Sequence, residues 1–396
     1  MNALGSFSIA RLPSIVFGAG RFRELPGLIA SFGQRALIVT GAQSFRAGAH
    51  WDVLCERLRS QGTVWEALRI EGEPSPQWVD ETVRALRARE WAVVVGIGGG
   101  SVLDAAKAVA GLLKPGNSVF DHLEGVGPEL PYRGPAAPFI AVPTTAGTGS
   151  EATKNAVLSV QGVQGFKKSF RDEQLVARYA VVDPDLLATC PPPLIAANGM
   201  DALTQLLESY VSLKANAFTD ALALSGLEAV RDGLLEWYEH PAAAGEARAK
   251  MAYAALLSGI TLAQVGLGSV HGLASPLGAY FPIPHGVACG TLVAAATARN
   301  IRALRRAPHS PALAKYARVG ELLSGRSWDD DEQACAALVE TLREWTERLQ
   351  LPSLRRYGIQ AADFDRIVAG CRGSSMKTNP VVLSDGEVRA ILEERL

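Results

Sequence analysis

The chain has 396 residues, 48% of them hydrophobic and 20% charged, a balance that suits soluble globular domains and a length that favours two of them. A net charge of −1 excludes a global field that would draw nucleic acid or an anionic membrane, and no lysine- and arginine-rich tract supplies a local one. Five widely spaced cysteines, Cys55, Cys190, Cys289, Cys335 and Cys371, form no CxxC pair, which excludes a disulfide framework or a cysteine zinc knot and points to a reducing cytoplasm.

The N-terminal stretch lacks a basic segment followed by a long apolar run, so no signal peptide is expected. No uncharged apolar run reaches the roughly 18 residues of a membrane span. Short β-branched runs then recur. Residues 36–40 end at Gly41, 92–97 run into Gly98-Gly-Gly100, 139–142 end at Pro143, and 179–182 end at Asp183-Pro184. A helix is expected over 78–89. Strands that are apolar throughout are covered on both faces, so the pattern predicts a parallel α/β sheet.

The texture changes after Pro191-Pro-Pro193. Helical periodicity marks 200–213, 217–238, 246–264, 311–323, 331–349 and 387–396. Ser310 before Pro311 reads as a capping hydroxyl followed by a first-turn proline. The expected organisation is an α/β dinucleotide-binding domain over 1–187 and an all-α domain over 188–396, with the boundary in the proline-rich connection.

Two loops carry the first chemistry. Gly98-Gly99-Gly100-Ser101 sits between a strand and a helix that continues through Asp104 and Lys107. Glycines let backbone N–H groups approach an anion, and a helix start adds the positive end of its dipole; Ser101 can cap that helix or bond a phosphate oxygen. The string is GGGS rather than GxGxxG, and a tight turn needing glycine dihedrals is the ordinary alternative. Thr144, Thr145 and Thr148 follow the next strand, at the edge where open α/β sheets bind ligands.

The second chemistry lies further on. Asp201, Gln205 and Glu208 fall on one helix face at i, i+4 and i+7. A first-turn aspartate that complements the helix dipole is the ordinary alternative for Asp201. His271 and His285, each beside glycines, stand 14 positions apart in Gly268–Gly286. Taken alone, His271 reads first as a core or helix-end histidine rather than a ligand, and a loop site suits His285 between Pro284 and Gly286. Together the three side chains make a two-histidine, one-carboxylate set with open positions, the pattern of a catalytic metal.

In order, Phe17-Gly-Ala-Gly20, Gly98-Gly-Gly-Ser101-Val-Leu-Asp104, Pro143-Thr-Thr-Ala-Gly-Thr-Gly-Ser-Glu151, Val182-Asp-Pro-Asp185, Gly199-Met-Asp201, Pro284-His-Gly286 and Thr378-Asn-Pro380 resemble the iron-containing, group III alcohol dehydrogenases over essentially the whole chain. The resemblance implies a nucleotide-binding α/β domain, a helical domain, a metal (Fe²⁺ or Zn²⁺) and NAD or NADP in the cleft between them, and a homodimer. It assigns metal binding to Asp201, Gln205, His271 and His285, and catalysis to His271, His285 and Ser275. It assigns cofactor contacts to Gly41, Gly99, Gly100, Ser101, Asp104, Thr144, Thr145, Thr148 and Lys167. The implied reaction is hydride exchange between NAD(P)H and a small aldehyde, ketone or alcohol.

The chain departs from the family pattern in three places. Gln205 stands where many members have a ligand histidine, and a neutral oxygen is a poorer donor to a borderline metal. Ser275 stands where a histidine exchanges protons with solvent, so the proton is expected to pass through ordered water or the cofactor ribose. Gly41 stands where NAD-preferring members carry an aspartate, which removes repulsion toward a 2′-phosphate, with Arg46 near enough to help. Two other readings stay open: a weakly metal-dependent or metal-independent reductase of an acidic carbonyl compound, similar to maleylacetate reductases, and a sugar-phosphate cyclase.

Overall fold

A computed structural model describes residues 5–42, 44–162, 164–306 and 310–396. The chain divides into two compact units. One comprises Ala10–Val160 and Lys167–Thr189; the other holds Gln161–Phe166, Cys190–Leu396 and the described residues up to Ile9. The division between them thus falls at Thr189 rather than 187, and the helical unit also takes a short N-terminal piece and one turn.

The α/β unit runs β1 (Ser14–Phe17), α1 (Leu25–Ala30), β2 (Arg35–Gly41), α2 (Ala49–Ser60), β3 (Val64–Ile70), α3 (Pro76–Leu86), β4 (Val93–Gly98), α4 (Gly100–Leu112), β5 (Phe139–Pro143), β6 (Asn155–Val160), β7 (Phe166–Arg171) and β8 (Tyr179–Val182). Six strands pair in the order β1-β8-β5-β4-β2-β3, all parallel, and β6 and β7 pair separately. The continuous apolar runs are the central strands: every residue of β4 and β5 is buried. The edge strands β1 and β3 escape the sequence reading: β1 has only four residues and is mostly exposed, while β3 is interrupted by Glu66 and Arg69 and is mostly half-buried. Ser75 caps α3 by accepting from Trp78 N, with Pro76 in the first turn, so the helix starts two residues earlier than its periodicity suggests.

The helical unit comprises α5 (Pro192–Val211), α6 (Ala217–Glu239), α7 (Gly245–Val265), α8 (Ser269–Tyr280), α9 (His285–Leu304), α10 (Ala312–Ser324), α11 (Asp331–Arg348), α12 (Phe364–Gly370) and α13 (Asp385–Glu393). The proline run is no connector. Pro191 is the N-cap of α5, and Pro192 and Pro193 fill its first turn, where a missing N–H costs nothing. Asn216 and Thr219 form a capping box at the start of α6, and Ser384 and Glu387 do so at α13. At α10 the N-cap is Pro311 rather than Ser310, whose hydroxyl accepts from Ala312 N at 3.3 Å. Among the described residues no single helix is long and apolar enough to cross a membrane.

Candidate active site: a buried donor cluster and a glycine-lined sheet edge

In the α/β unit, Gly98 pairs with Pro143 across β4 and β5, and Thr40 pairs with Ile97 across β2 and β4. Gly41, the Gly99–Ser101 turn and the Thr144–Thr148 loop therefore leave one edge of the sheet side by side. The chain steps from β2 out to β3 and back past β2 to β4, so this edge is a topological switch point, where such sheets bind ligands. The glycines are there for space rather than dihedrals: none of Gly98–Gly100 has a positive φ. A Cβ on Gly100 would lie 2.7 Å from Thr148, and one on Gly98 would lie 2.5 Å from Val102. Ser101 does not cap α4. Gly99 holds the N-cap position and no side chain caps the helix start.

Behind these loops Lys107 is fully buried. Its ammonium donates to Ser150 O (2.8 Å), Ser150 Oγ (3.0 Å), Thr153 Oγ1 (3.0 Å) and Asn155 O (2.6 Å). Ser150 Oγ donates in turn to Asp104 Oδ1 at 2.5 Å. Asp104 thus faces this network, which ties α4 to the segment following the threonine loop. Lys167 pairs with Glu73, which also accepts from Ser159. The remaining motifs of this unit hold backbone in place. Buried Asp183 accepts from Gly20 N (3.1 Å), Phe22 N (2.8 Å) and Asp185 N (3.0 Å).

In the helical unit, Asp201 is no first-turn residue. It lies midway along α5 and is 1% exposed, because α5 begins nine residues earlier. His271 is the third residue of α8, and His285 is the first residue of α9 rather than part of a loop. His271 Nε2 lies 3.2 Å from Asp201 Oδ1, His285 Nε2 lies 3.8 Å from the same oxygen, and the two rings are 5.4 Å apart. Two glycines bring the elements together. A Cβ on Gly286 would meet Ala197 O at 2.4 Å, so α9 starts directly against α5. A Cβ on Gly268 would meet Glu208 Oε1 and Asn379 Oδ1, each at 2.8 Å.

Glu208 orients the nearer histidine. Its carboxylate accepts from Val270 N (2.7 Å), His271 N (3.4 Å) and His271 Nδ1–H (2.7 Å), leaving Nε2 to face Asp201. Asn379 accepts from Ser269 N at 3.0 Å and braces the same helix start. Such a carboxylate–histidine pair fixes the tautomer of a metal-binding imidazole.

A residue the sequence reading missed completes the cluster. Cys289 Sγ lies 3.6 Å from His271 Nε2 and 3.7 Å from His285 Nε2. Ligand atoms of Asp201, His271, His285 and Cys289 all fall within 4.8 Å of one another. The signal was the four-residue spacing after His285, one turn along the same helix face. Gln205 Oε1, by contrast, accepts the Ser258 hydroxyl at 2.7 Å. Ser275 lies one turn beyond His271 on α8, half-buried.

The cluster favours positive charge. Burial works against ionised Asp201, yet His285, His271 and Cys289 more than offset it and lower its pKa. Burial likewise opposes charge on His271, but Cys289, Asp201 and Glu208 hold its pKa well above the ordinary histidine value. Burial pushes the Cys289 thiol up to about 12. Asp201 Oδ2 is buried with no hydrogen-bond partner among the described residues, a costly state for a carboxylate oxygen unless a cation meets it. The donors fit a divalent transition metal.

The iron-containing alcohol dehydrogenase family matches residues 13–184, and the C-terminal part of the Fe-containing alcohol dehydrogenase family matches residues 195–396. The chain belongs to the iron-containing alcohol dehydrogenases. It is 30% identical over 392 residues to an NADPH-dependent butanol dehydrogenase of Clostridium saccharobutylicum, covering 96% of this chain and 95% of that one. Among solved structures it resembles a 1,3-propanediol oxidoreductase (TM-score 0.88, 25% identity, 99% of this chain and 100% of that one). It also resembles a sulfoacetaldehyde reductase from Bifidobacterium kashiwanohense in complex with NAD+ (TM-score 0.81, 25% identity, 99% of each). This iron-containing alcohol dehydrogenase is therefore an NAD(P)-linked oxidoreductase of the alcohol and aldehyde class, and the cyclase and metal-independent readings are not favoured.

Proposed function

We propose that this alcohol dehydrogenase reduces a small aldehyde or ketone to its alcohol, and runs the reverse, with NADPH preferred and Fe²⁺ or Zn²⁺ held by Asp201, His271 and His285. The observation that carries the reading is the buried cluster in which two imidazoles share Asp201 Oδ1 while Oδ2 has no hydrogen-bond partner among the described residues. A divalent cation bound there supplies Lewis acidity to a carbonyl oxygen. NADPH supplies the hydride.

The chain's own residues do the rest. Asp201 brings negative charge into a dry interior, Glu208 holds His271 Nδ1–H, and Gly268 and Gly286 let α8 and α9 close on α5. Gly99, Gly100 and Ser101 offer a helix start to a pyrophosphate, with Thr144, Thr145 and Thr148 beside them. Lys107 and Asp104 fix the loops from behind.

The preference for NADPH rests on Gly41 and its surroundings. Arg46 is held beside it, donating to Thr40 Oγ1 and to Leu68 O, each at 2.7 Å, and stacking over Trp51. Arg69, paired with Thr40 in the sheet and exposed, adds a second cation that the sequence reading did not single out. A 2′-phosphate is favoured by such a pair and repelled by a carboxylate. The Clostridium relative is NADPH-dependent, in keeping with this. The relatives' names, a butanol dehydrogenase and a 1,3-propanediol oxidoreductase, support a small substrate. The proposal extends to a cytoplasmic homodimer.

The test is kcat/KM for NADPH and for NADH against a panel of short-chain aldehydes. The expected outcome is higher kcat/KM with NADPH. A preference for NADH beyond about tenfold, roughly 1.4 kcal/mol, overturns the cofactor assignment.

A further inference from the structure

We infer that Cys289 is the fourth protein ligand of the metal, taking over from α9 the position that Gln205 vacates on α5. The inference rests on the metal-dependent reading above and adds to it the donor set Asp201, His271, His285 and Cys289. Three observations carry it.

First, four of the six donor–donor distances match an occupied site, within a cluster whose donor atoms all lie within 4.8 Å of one another. Sulfur at about 2.3 Å and nitrogen at about 2.0–2.1 Å from one tetrahedral ion stand about 3.6 Å apart. Cys289 Sγ stands 3.6 Å from His271 Nε2 and 3.7 Å from His285 Nε2. The oxygen edge agrees as well. Nitrogen and carboxylate oxygen on such an ion are about 3.4 Å apart, and Asp201 Oδ1 lies 3.2 Å and 3.8 Å from the two imidazoles.

Second, the four residues come from three helices packed without slack. Gly286, one residue after His285, and Gly290, one residue after Cys289, leave no room for a Cβ: at Gly290 it would meet Met200 Cβ at 2.7 Å. Met200 neighbours Asp201, so the packing that seats Cys289 also seats the carboxylate. Asp201 Oδ2, buried and without a hydrogen-bond partner among the described residues, is a separate sign that a cation belongs among these groups.

Third, the Gln205 carbonyl oxygen faces the Ser258 hydroxyl of α7. A neutral amide oxygen is in any case a weak donor to zinc or iron, whereas a thiolate is strong and selects zinc, cobalt and iron over magnesium or manganese. On binding, the Cys289 S–H bond breaks, sulfur forms the bond to the metal, and the proton leaves to solvent.

The experiment uses Co²⁺ as the probe. Metal-free full-length protein is titrated with cobalt, and the near-ultraviolet and visible spectrum is recorded alongside chelator competition. The expected result is one equivalent bound with a thiolate-to-cobalt charge-transfer band. Cys289→Ser should lose the band and bind cobalt at least about tenfold more weakly, since even outer-shell changes cost that much. Gln205→Ala should keep the band. Stoichiometric cobalt without the band in the wild-type protein, or a band that survives in Cys289→Ser, overturns the inference. If aldehyde reduction remains metal-dependent in that case, the proposed function stands without Cys289. Failure to take up cobalt at all removes both. Should Cys289→Ser fail to fold, the wild-type spectrum decides alone.

Discussion

At the scale of single residues, the site depends on charge placed among buried groups. Glu208 is the clearest instance. Its carboxylate holds the His271 ring by Nδ1–H at 2.7 Å and caps the helix that carries it. Glu208→Gln keeps the shape and removes the charge that raises the basicity of the imidazole. Zinc affinity is expected to fall about 10–100-fold, measured by chelator competition, with the fold retained by circular dichroism. Unchanged affinity would make Glu208 a helix cap only. Asp201 was legible in the sequence as a candidate because aspartate, two histidines and glycines are a rare combination. Cys289 was not, because a lone cysteine four residues after a histidine carries meaning only once both are known to share a helix face. Gln205 shows the converse. Its spacing from Asp201 was right for a shared face, but the partner that engages its oxygen, Ser258, lies 53 residues on, beyond any local pattern.

At the scale of elements, the central strands were readable because both faces are buried and the residues are apolar throughout. The helices that carry the histidines were harder. Glycine and proline around His285 suggested a loop and no helix was read across His271, whereas α8 contains Pro276 within it and α9 begins at His285 itself. Those glycines answer close helix packing, a demand that comes from other elements. A similar demand acts in the α/β unit, where Glu151 is buried beside the Lys107 network. Burial raises its pKa from 4.5 to about 7, with its backbone hydrogen bond and Lys107 opposing the shift. Between those values the folded protein holds a proton that the unfolded chain releases, so stability falls as pH rises across the window and levels off above it. Glu151→Gln should abolish that slope, read from urea unfolding at the two ends of the window. A slope that persists would place its origin elsewhere.

At the scale of the whole molecule, the division of labour was the most legible feature. One unit is a sheet of buried β-branched runs with glycine loops at one edge, and the other is a set of amphipathic and fully buried helices that holds the donor cluster. The order of motifs along the chain identified the family, while the exact donors depended on three-dimensional packing. The central claim is that the buried donors of α5, α8 and α9 hold a metal required for NADPH-linked aldehyde reduction. It is tested most directly by assaying NADPH oxidation with a short-chain aldehyde before and after exhaustive chelation, and again after adding back one equivalent of Fe²⁺ or Zn²⁺. The expected result is loss of activity on chelation and recovery with one of the two ions. Full activity in protein shown to be free of metal would contradict it.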